Sequence, residues 1–180
     1  MKKLILRYGL LGGLIVGGVI AFSSIYYFKV QRFEPSMLLG YSSMIVAFSL
    51  IYVAVKIYRD KHSNGTLSFG KAFKMGLLVA LVTSTVYVLV WLICYYTFLP
   101  DFMQQYSDYM IKKAEASGAT ASELAKQSEQ MHQYVNLYKN PLMVILLTYA
   151  EIFPIGIVVS LIVALILKRK SKQQFAGAVI

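Results

Sequence analysis

Pro141-Leu142-Met143-Val144-Ile145-Leu146-Leu147-Thr148-Tyr149-Ala150-Glu151-Ile152-Phe153-Pro154-Ile155-Gly156, continuing through Ser160 and Ala164 to Lys168-Arg169-Lys170, decides the fold. From Leu142 to Leu167 there are 26 residues and a single charge. At about 1.5 Å per residue, such a helix crosses a bilayer core of about 30 Å. The charge is Glu151, and Pro154 follows three residues later. An acid at that depth costs a few kcal/mol in hydrocarbon, so it is expected to face protein or a wet cavity.

The rest of the chain repeats this pattern. Of its 180 residues 58% are hydrophobic and only 14% charged, and the mean hydropathy is +0.61. The apolar residues come in four long blocks instead of alternating with polar ones, which marks an integral membrane protein. The spans are expected at about 8–28, 36–57, 74–98 and 142–167, in one all-α membrane four-helix bundle covering 1–180. The first block follows Lys2, Lys3 and Arg7. Its apolar run, Tyr8 to Phe28, exceeds the about 7–15 residues of a signal-peptide core, so it reads as an uncleaved span.

The formal charge of +10 invites a nucleic-acid reading, but the basic residues flank apolar blocks and no nucleic-acid-binding motif accompanies them. Twelve Lys and Arg fall on one side of the expected membrane: the N-terminal segment, the loop between spans two and three, and the tail (Lys168, Arg169, Lys170, Lys172). Six fall on the other, spread over a longer length. Both termini are therefore expected in the cytoplasm, with residues 101–140 outside as a helical hairpin. That insertion is polar and broken at Ser117-Gly118, with Phe102, Tyr106 and Tyr109 on one face of its first helix. In its second helix Thr120 and Glu123 predict a capping box, and Leu124, Met131, Val135 and Tyr138 share one stripe. Packing within the protein is the plainer expectation for that stripe. Asn64-Gly65 predicts a turn before span three, and Ser68 its N-cap.

Small residues recur at helical spacing in three spans: Gly9, Gly13, Gly17 and Ala21; Gly76, Ala80 and Ser84; Gly156, Ser160 and Ala164. In lipid such stripes let helix backbones approach closely. Packing within the chain is the simpler expectation, and self-association the sharper one. Depth comparison groups Ser23, Ser24, Ser42, Ser43 and Tyr87 near Glu151, as a polar layer whose hydroxyls would donate to the acid. Pro154 removes an amide from the helix and is expected to bend or open it there. On a regular helix Ser160 stands about 180° round from Glu151, so two opposite faces avoid lipid.

The Leu67-Ser68-Phe69-Gly70-Lys71-Ala72-Phe73-Lys74-Met75-Gly76 approach to span three, the Leu99-Pro100-Asp101-Phe102 exit and Glu151-Ile152-Phe153-Pro154-Ile155-Gly156 carry a resemblance. Together with the four spans they resemble the bacterial domain-of-unknown-function family numbered 4199, small membrane proteins common in the Bacteroidota. The likeness runs from about Lys3 to Lys170. It implies four spans and an inner-membrane location, and it carries over no activity.

Chemistry-bearing clusters are scarce. His62 and His132 lie in separate hydrophilic segments, and Cys94 is a lone cysteine inside an apolar block. The sequence thus predicts no metal, no cofactor and no enzyme: no nucleophile–base pair or membrane histidine is present. The partners expected are the lipid bilayer and either a second copy or another membrane protein. The leading expectation is a structural, assembly or accessory subunit. The alternative is a small proton-coupled carrier using Glu151.

Overall fold

A computed structural model describes residues 1–30 and 37–168. The rest of the short connection after the first span, and the basic tail of Arg169, Lys170 and Lys172, lie outside the described residues. Six helices follow one another: α1 (Lys2–Lys29), α2 (Met37–His62), α3 (Phe69–Phe98), α4 (Phe102–Ala116), α5 (Ala121–Tyr138) and α6 (Pro141–Leu167). Four of them, α1, α2, α3 and α6, are long and apolar enough to span a membrane. The fold is a helical membrane bundle. The helices overrun the apolar blocks, since Lys2–Arg7 and Phe69–Phe73 are already helical.

The ends of the helices follow local chemistry. Asn140 Oδ1 accepts the Leu142 amide at 3.0 Å, and Pro141 occupies the first turn of α6, where an amide would have no helical partner. The Asn64-Gly65 turn forms with both residues left-handed, at φ 46° and 72°, and the Gly65 amide bonds the Arg59 carbonyl at 3.0 Å. Ser68 sits at the N-cap of α3 with extended backbone, but its hydroxyl makes no capping bond. Between α4 and α5 the break comes at Ser117-Gly118, with Gly118 at φ 80°. Lipid-facing positions stay apolar: Phe22, Leu38, Leu146, Ile157 and Leu165 all project outward. Such a surface suits hydrocarbon as solvent.

The small-residue stripes are consumed inside the chain. A Cβ on Gly9 would lie 2.6 Å from Val82, one on Gly13 would run into Val86, and one on Gly17 would lie 3.1 Å from Val90. Each residue of one stripe thus meets every fourth residue of the other helix in the same direction, so α1 and α3 run parallel. Ala21 continues the stripe, packing on the cluster of Trp91, Cys94, Leu99 and Val144. On the other flank of α3 a Cβ on Gly76 would lie 3.0 Å from Ser160, and one on Gly156 2.8 Å from Ala80. That register is antiparallel, and Ala80, Ser84, Ser160 and Ala164 are fully buried. Close approach here is held by dispersion, since lipid offers no hydrophobic drive between spans.

α3 packs on α1, α6 and α2, while α2 packs on α1 and α6. The four spans therefore form a rhombus with α2 and α3 across its short diagonal and α1 and α6 at opposite corners. Met1 and Lys168 emerge at one end, and α4–α5 caps the other. The Thr83 hydroxyl donates to the Gly9 carbonyl at 3.1 Å, and Thr85 shares a hydrogen bond with Tyr149 at 2.7 Å.

The hairpin is tied at its base. Phe102 lies 5.7 Å from Trp91 and 6.4 Å from Phe28 by ring centroids, and Tyr138 lies 5.7 Å from Tyr95. Leu124, Met131, Val135 and Tyr138 are half-buried, and Gln127 Nε2 donates to the Met110 carbonyl at 3.2 Å. Burial at this junction pushes the Tyr138 phenol up to about 12.

The Thr120–Glu123 capping box forms as the sequence predicts. The Thr120 amide and hydroxyl each donate to Glu123 Oε2 at 2.8 Å. These two donors hold the Glu123 carboxyl below the usual range. Stabilisation from the box is therefore complete above the ordinary glutamate pKa and is lost as pH falls through the depressed folded value. Amide exchange at residues 121–124 should accelerate relative to the α6 amides on acidification below the carboxylate range. A Glu123→Gln chain should lack that change. Identical profiles for the two chains would show that the box does not hold the start of α5.

Candidate functional site

Glu151 is placed by helical phase. Ile152, Gly156 and Ser160 are buried against the other spans, whereas Glu151 lies on another side of α6, facing a space that α1 and α2 line. There Glu151 is exposed and lines a cavity of about 270 Å³. α1 contributes Val16, Val19, Ile20, Ser23 and Tyr27; α2 contributes residues from Leu39 to Met44; α3 adds only Tyr87 and α6 only Glu151. Gly13 meets Val86 and Gly17 meets Val90, so Tyr87 and Glu151 mark the inner end and Tyr27 the end nearest the hairpin. The cavity lies wholly in the hairpin half of the bundle.

Of the residues singled out in the sequence, Ser23, Ser43, Tyr87 and Glu151 share this cavity, and Ser24 and Ser42 do not line it. The expected donation to the acid is not formed. Ser23 Oγ donates to the Val19 carbonyl at 2.7 Å, Ser42 Oγ to Leu39 at 3.2 Å, and Ser43 Oγ to Gly40 at 2.7 Å. A helical serine easily reaches the carbonyl one turn back in its own helix, and that acceptor wins over a carboxylate on another helix. Among the described residues Glu151 has no hydrogen bond and no ion pair. α6 continues as helix through Pro154, whose ring is exposed. Two more hydroxyls behave locally: Thr148 and Ser160 donate to Val144 and Gly156, each at 2.7 Å. Ser84 Oγ is buried with no partner among the described residues, and it does not line the cavity.

Sequence reading missed Gly40, Tyr27 and Tyr41 as lining residues. Tyrosines near a membrane boundary look like ordinary interfacial anchors, so nothing in their spacing separates the two roles. Gly40 had a signal that was readable only with the fold: a Cβ built there meets nothing within 4 Å. Its absent side chain leaves space instead of admitting a neighbour. Among the described residues no group of three or more His, Cys, Asp or Glu is placed to hold a metal ion.

The family model for a protein of unknown function (DUF4199) matches residues 7–169. The chain belongs to this family. The matched stretch takes in all four spans and the hairpin, so the DUF4199 unit is the whole bundle, and the cavity is built entirely from residues within it. No curated protein and no solved structure matches the chain. The family description carries no activity, so the chemistry has to be argued from the cavity.

What that chemistry offers is a carboxyl group at the inner end of a largely apolar space. Hydroxyl oxygens of Ser23 and Ser43, their protons already committed, present only lone pairs. Three phenols bring ring faces and O–H groups. In low dielectric an acid so placed exchanges a proton for another cation readily, because each alternative neutralises it.

Proposed function

We propose that this DUF4199 chain is a small non-enzymatic membrane carrier, multi-pass in the bacterial inner membrane, with both termini cytoplasmic and the hairpin outside. Its cavity receives a small molecule, and Glu151 alternates between holding that molecule and holding a proton. The observation that carries the reading is Glu151 itself, unpaired among the described residues and lining a cavity instead of a packed interface. A costly intramembrane acid with no structural bond to make is best explained by use. The small-residue stripes that first favoured a purely structural role are occupied by α1–α3 and α3–α6 contacts.

Proteoliposomes holding a pH-sensitive dye test it. Addition of one or more compounds from a panel of small amphiphiles should drive proton movement in wild-type vesicles. The movement should fall to the protein-free level with Glu151→Gln. No compound-dependent flux from wild type, or equal flux from the variant, would overturn the reading.

The accessory-subunit reading has one observation in its favour. α5 has no fully buried residue, and Tyr134 and Leu137 are exposed on it, as a partner-facing helix would be. A mass of one chain in mild detergent, with no companion protein, would count against it.

A further inference from the structure

The cavity's chemistry points to a narrower class of ligand, and the argument rests on the carrier reading above. Four properties of the wall select it. Its only ionisable acid is Glu151, which has no partner among the described residues. Its serine hydroxyls donate to the carbonyls of Val19 and Gly40, so they can only accept further bonds. An anion would meet a carboxylate and two spent hydroxyls, with only the three phenol O–H groups to donate to it. Three tyrosines, Tyr27, Tyr41 and Tyr87, present rings whose faces attract cations. The remainder is aliphatic: Val16, Val19, Ile20 and Met44 among others.

Inorganic ions fit poorly. Calcium takes about six to eight oxygen ligands and magnesium needs about six in near-ideal geometry. A single carboxylate flanked by apolar side chains supplies neither. The volume of about 270 Å³ sits at the lower edge of ligand pockets, which run about 300–1,000 Å³. A compact molecule is therefore required.

We propose that the cavity is a binding site for a small lipophilic organic cation, with its nitrogen at the Glu151 carboxylate beside Tyr87, and its apolar body against Val16, Val19, Ile20 and Met44. An alkyl- or arylammonium ion has this chemistry. It needs no hydrogen-bond donor from the protein, and it replaces a proton at Glu151 charge for charge.

The test uses the purified full chain in an uncharged detergent, with benzyltrimethylammonium and its neutral carbon isostere neopentylbenzene as probes. Equilibrium dialysis should show saturable binding of the cation by wild type. Glu151→Gln should weaken it by about tenfold or more and leave the weaker binding of the isostere unchanged. Gly40→Leu is the second variant, because its side chain enters open space. It should remove binding of both probes while helical content and thermal stability hold or rise. Equal affinity of wild type for the two probes would overturn the cationic class and leave a small-molecule cavity standing. Cation binding unaffected by Glu151→Gln would overturn the role of the acid, and binding unaffected by Gly40→Leu would place the site elsewhere. If neither probe binds, the proposal and the carrier reading's cavity fall together.

Discussion

Gly13→Ala should destabilise the bundle by about 1–3 kcal/mol, the cost of overpacking a close helix contact. The same substitution at Gly18, five residues on, should be neutral or stabilising. The two sites share a helix and a residue type, and they differ in what stands opposite. A Cβ on Gly13 would occupy the place of the Val86 side chain and come within 3.1 Å of the Thr83 carbonyl. A Cβ on Gly18 meets nothing within 4 Å. Intrinsic propensity favours alanine in both positions by about 0.5–1 kcal/mol, so any loss at Gly13 measures packing alone. The neighbouring contacts at Gly9 and Gly17 hold α1 against α3 on either side, which prevents α1 from simply sliding away.

Val86→Ala supplies the second arm. Alone it removes half-buried methyl groups packed on Gly13 and should cost about 0.5–1.5 kcal/mol. Combined with Gly13→Ala it makes room for the new methyl, so the double variant should be more stable than the sum of the singles predicts. Unfolding in mixed micelles with rising denaturing detergent, followed by circular dichroism, reads all four chains. If Gly13→Ala matched Gly18→Ala, or if Val86→Ala gave no rescue, the α1–α3 contact would not be the close backbone approach described.

The span pattern was legible because lipid imposes a one-dimensional rule: backbone groups must be satisfied within the helix, and about 20 apolar residues are needed to cross. Caps and turns were legible for a similar reason, since Thr120 with Glu123 and Asn64 with Gly65 each act over a few residues. The glycine stripe of α1 was readable as a packing face, but not its partner. Val82, Val86 and Val90 look like any β-branched residues of a span until the helices are placed side by side. The polar layer failed at the level of single bonds. Ser23, Ser43 and Tyr87 do line the cavity of Glu151 and Ser24 and Ser42 do not, since depth ignores rotation about the helix axis. It also ignored the nearest acceptor of every helical serine, the carbonyl one turn back. A cavity, finally, is made by what is missing. Gly40 leaves its share of space by having no side chain, and one sequence gives no sign of emptiness.

The junction between hairpin and bundle was equally hidden, and it yields a large effect. Phe102 lies at the start of α4, 5.7 Å from Trp91, 6.5 Å from Tyr95 and 6.4 Å from Phe28 by ring centroids. It also stacks on Tyr106 within α4. One ring thus joins α1, α3 and the hairpin. Phe102 is half-buried, so its truncation should cost less than the about 3–5 kcal/mol of a fully buried phenylalanine, though still more than about 1.4 kcal/mol at this contact. The loss should remain local, because the glycine contacts of the α1–α3 and α3–α6 stripes lie deeper and only Ala21 of those stripes packs on the same cluster. Phe102→Ala should therefore release the hairpin while the four spans stay assembled. Trp91 is the chain's single tryptophan, so its fluorescence reports this site directly: emission should shift to the red as Phe102 ceases to cover the indole. Protease cleavage within residues 102–138 should accelerate at least about tenfold, the factor that about 1.4 kcal/mol of lost docking energy gives when cleavage samples the open form. Denaturing-detergent unfolding of the spans should stay within about 0.5 kcal/mol of wild type, as for an independent site. Phe102→Leu, which keeps apolar volume without the ring, should fall between the two chains. Unchanged emission and cleavage in Phe102→Ala would show that the base of the hairpin is held by other contacts, with Tyr138 on Tyr95 the first to examine.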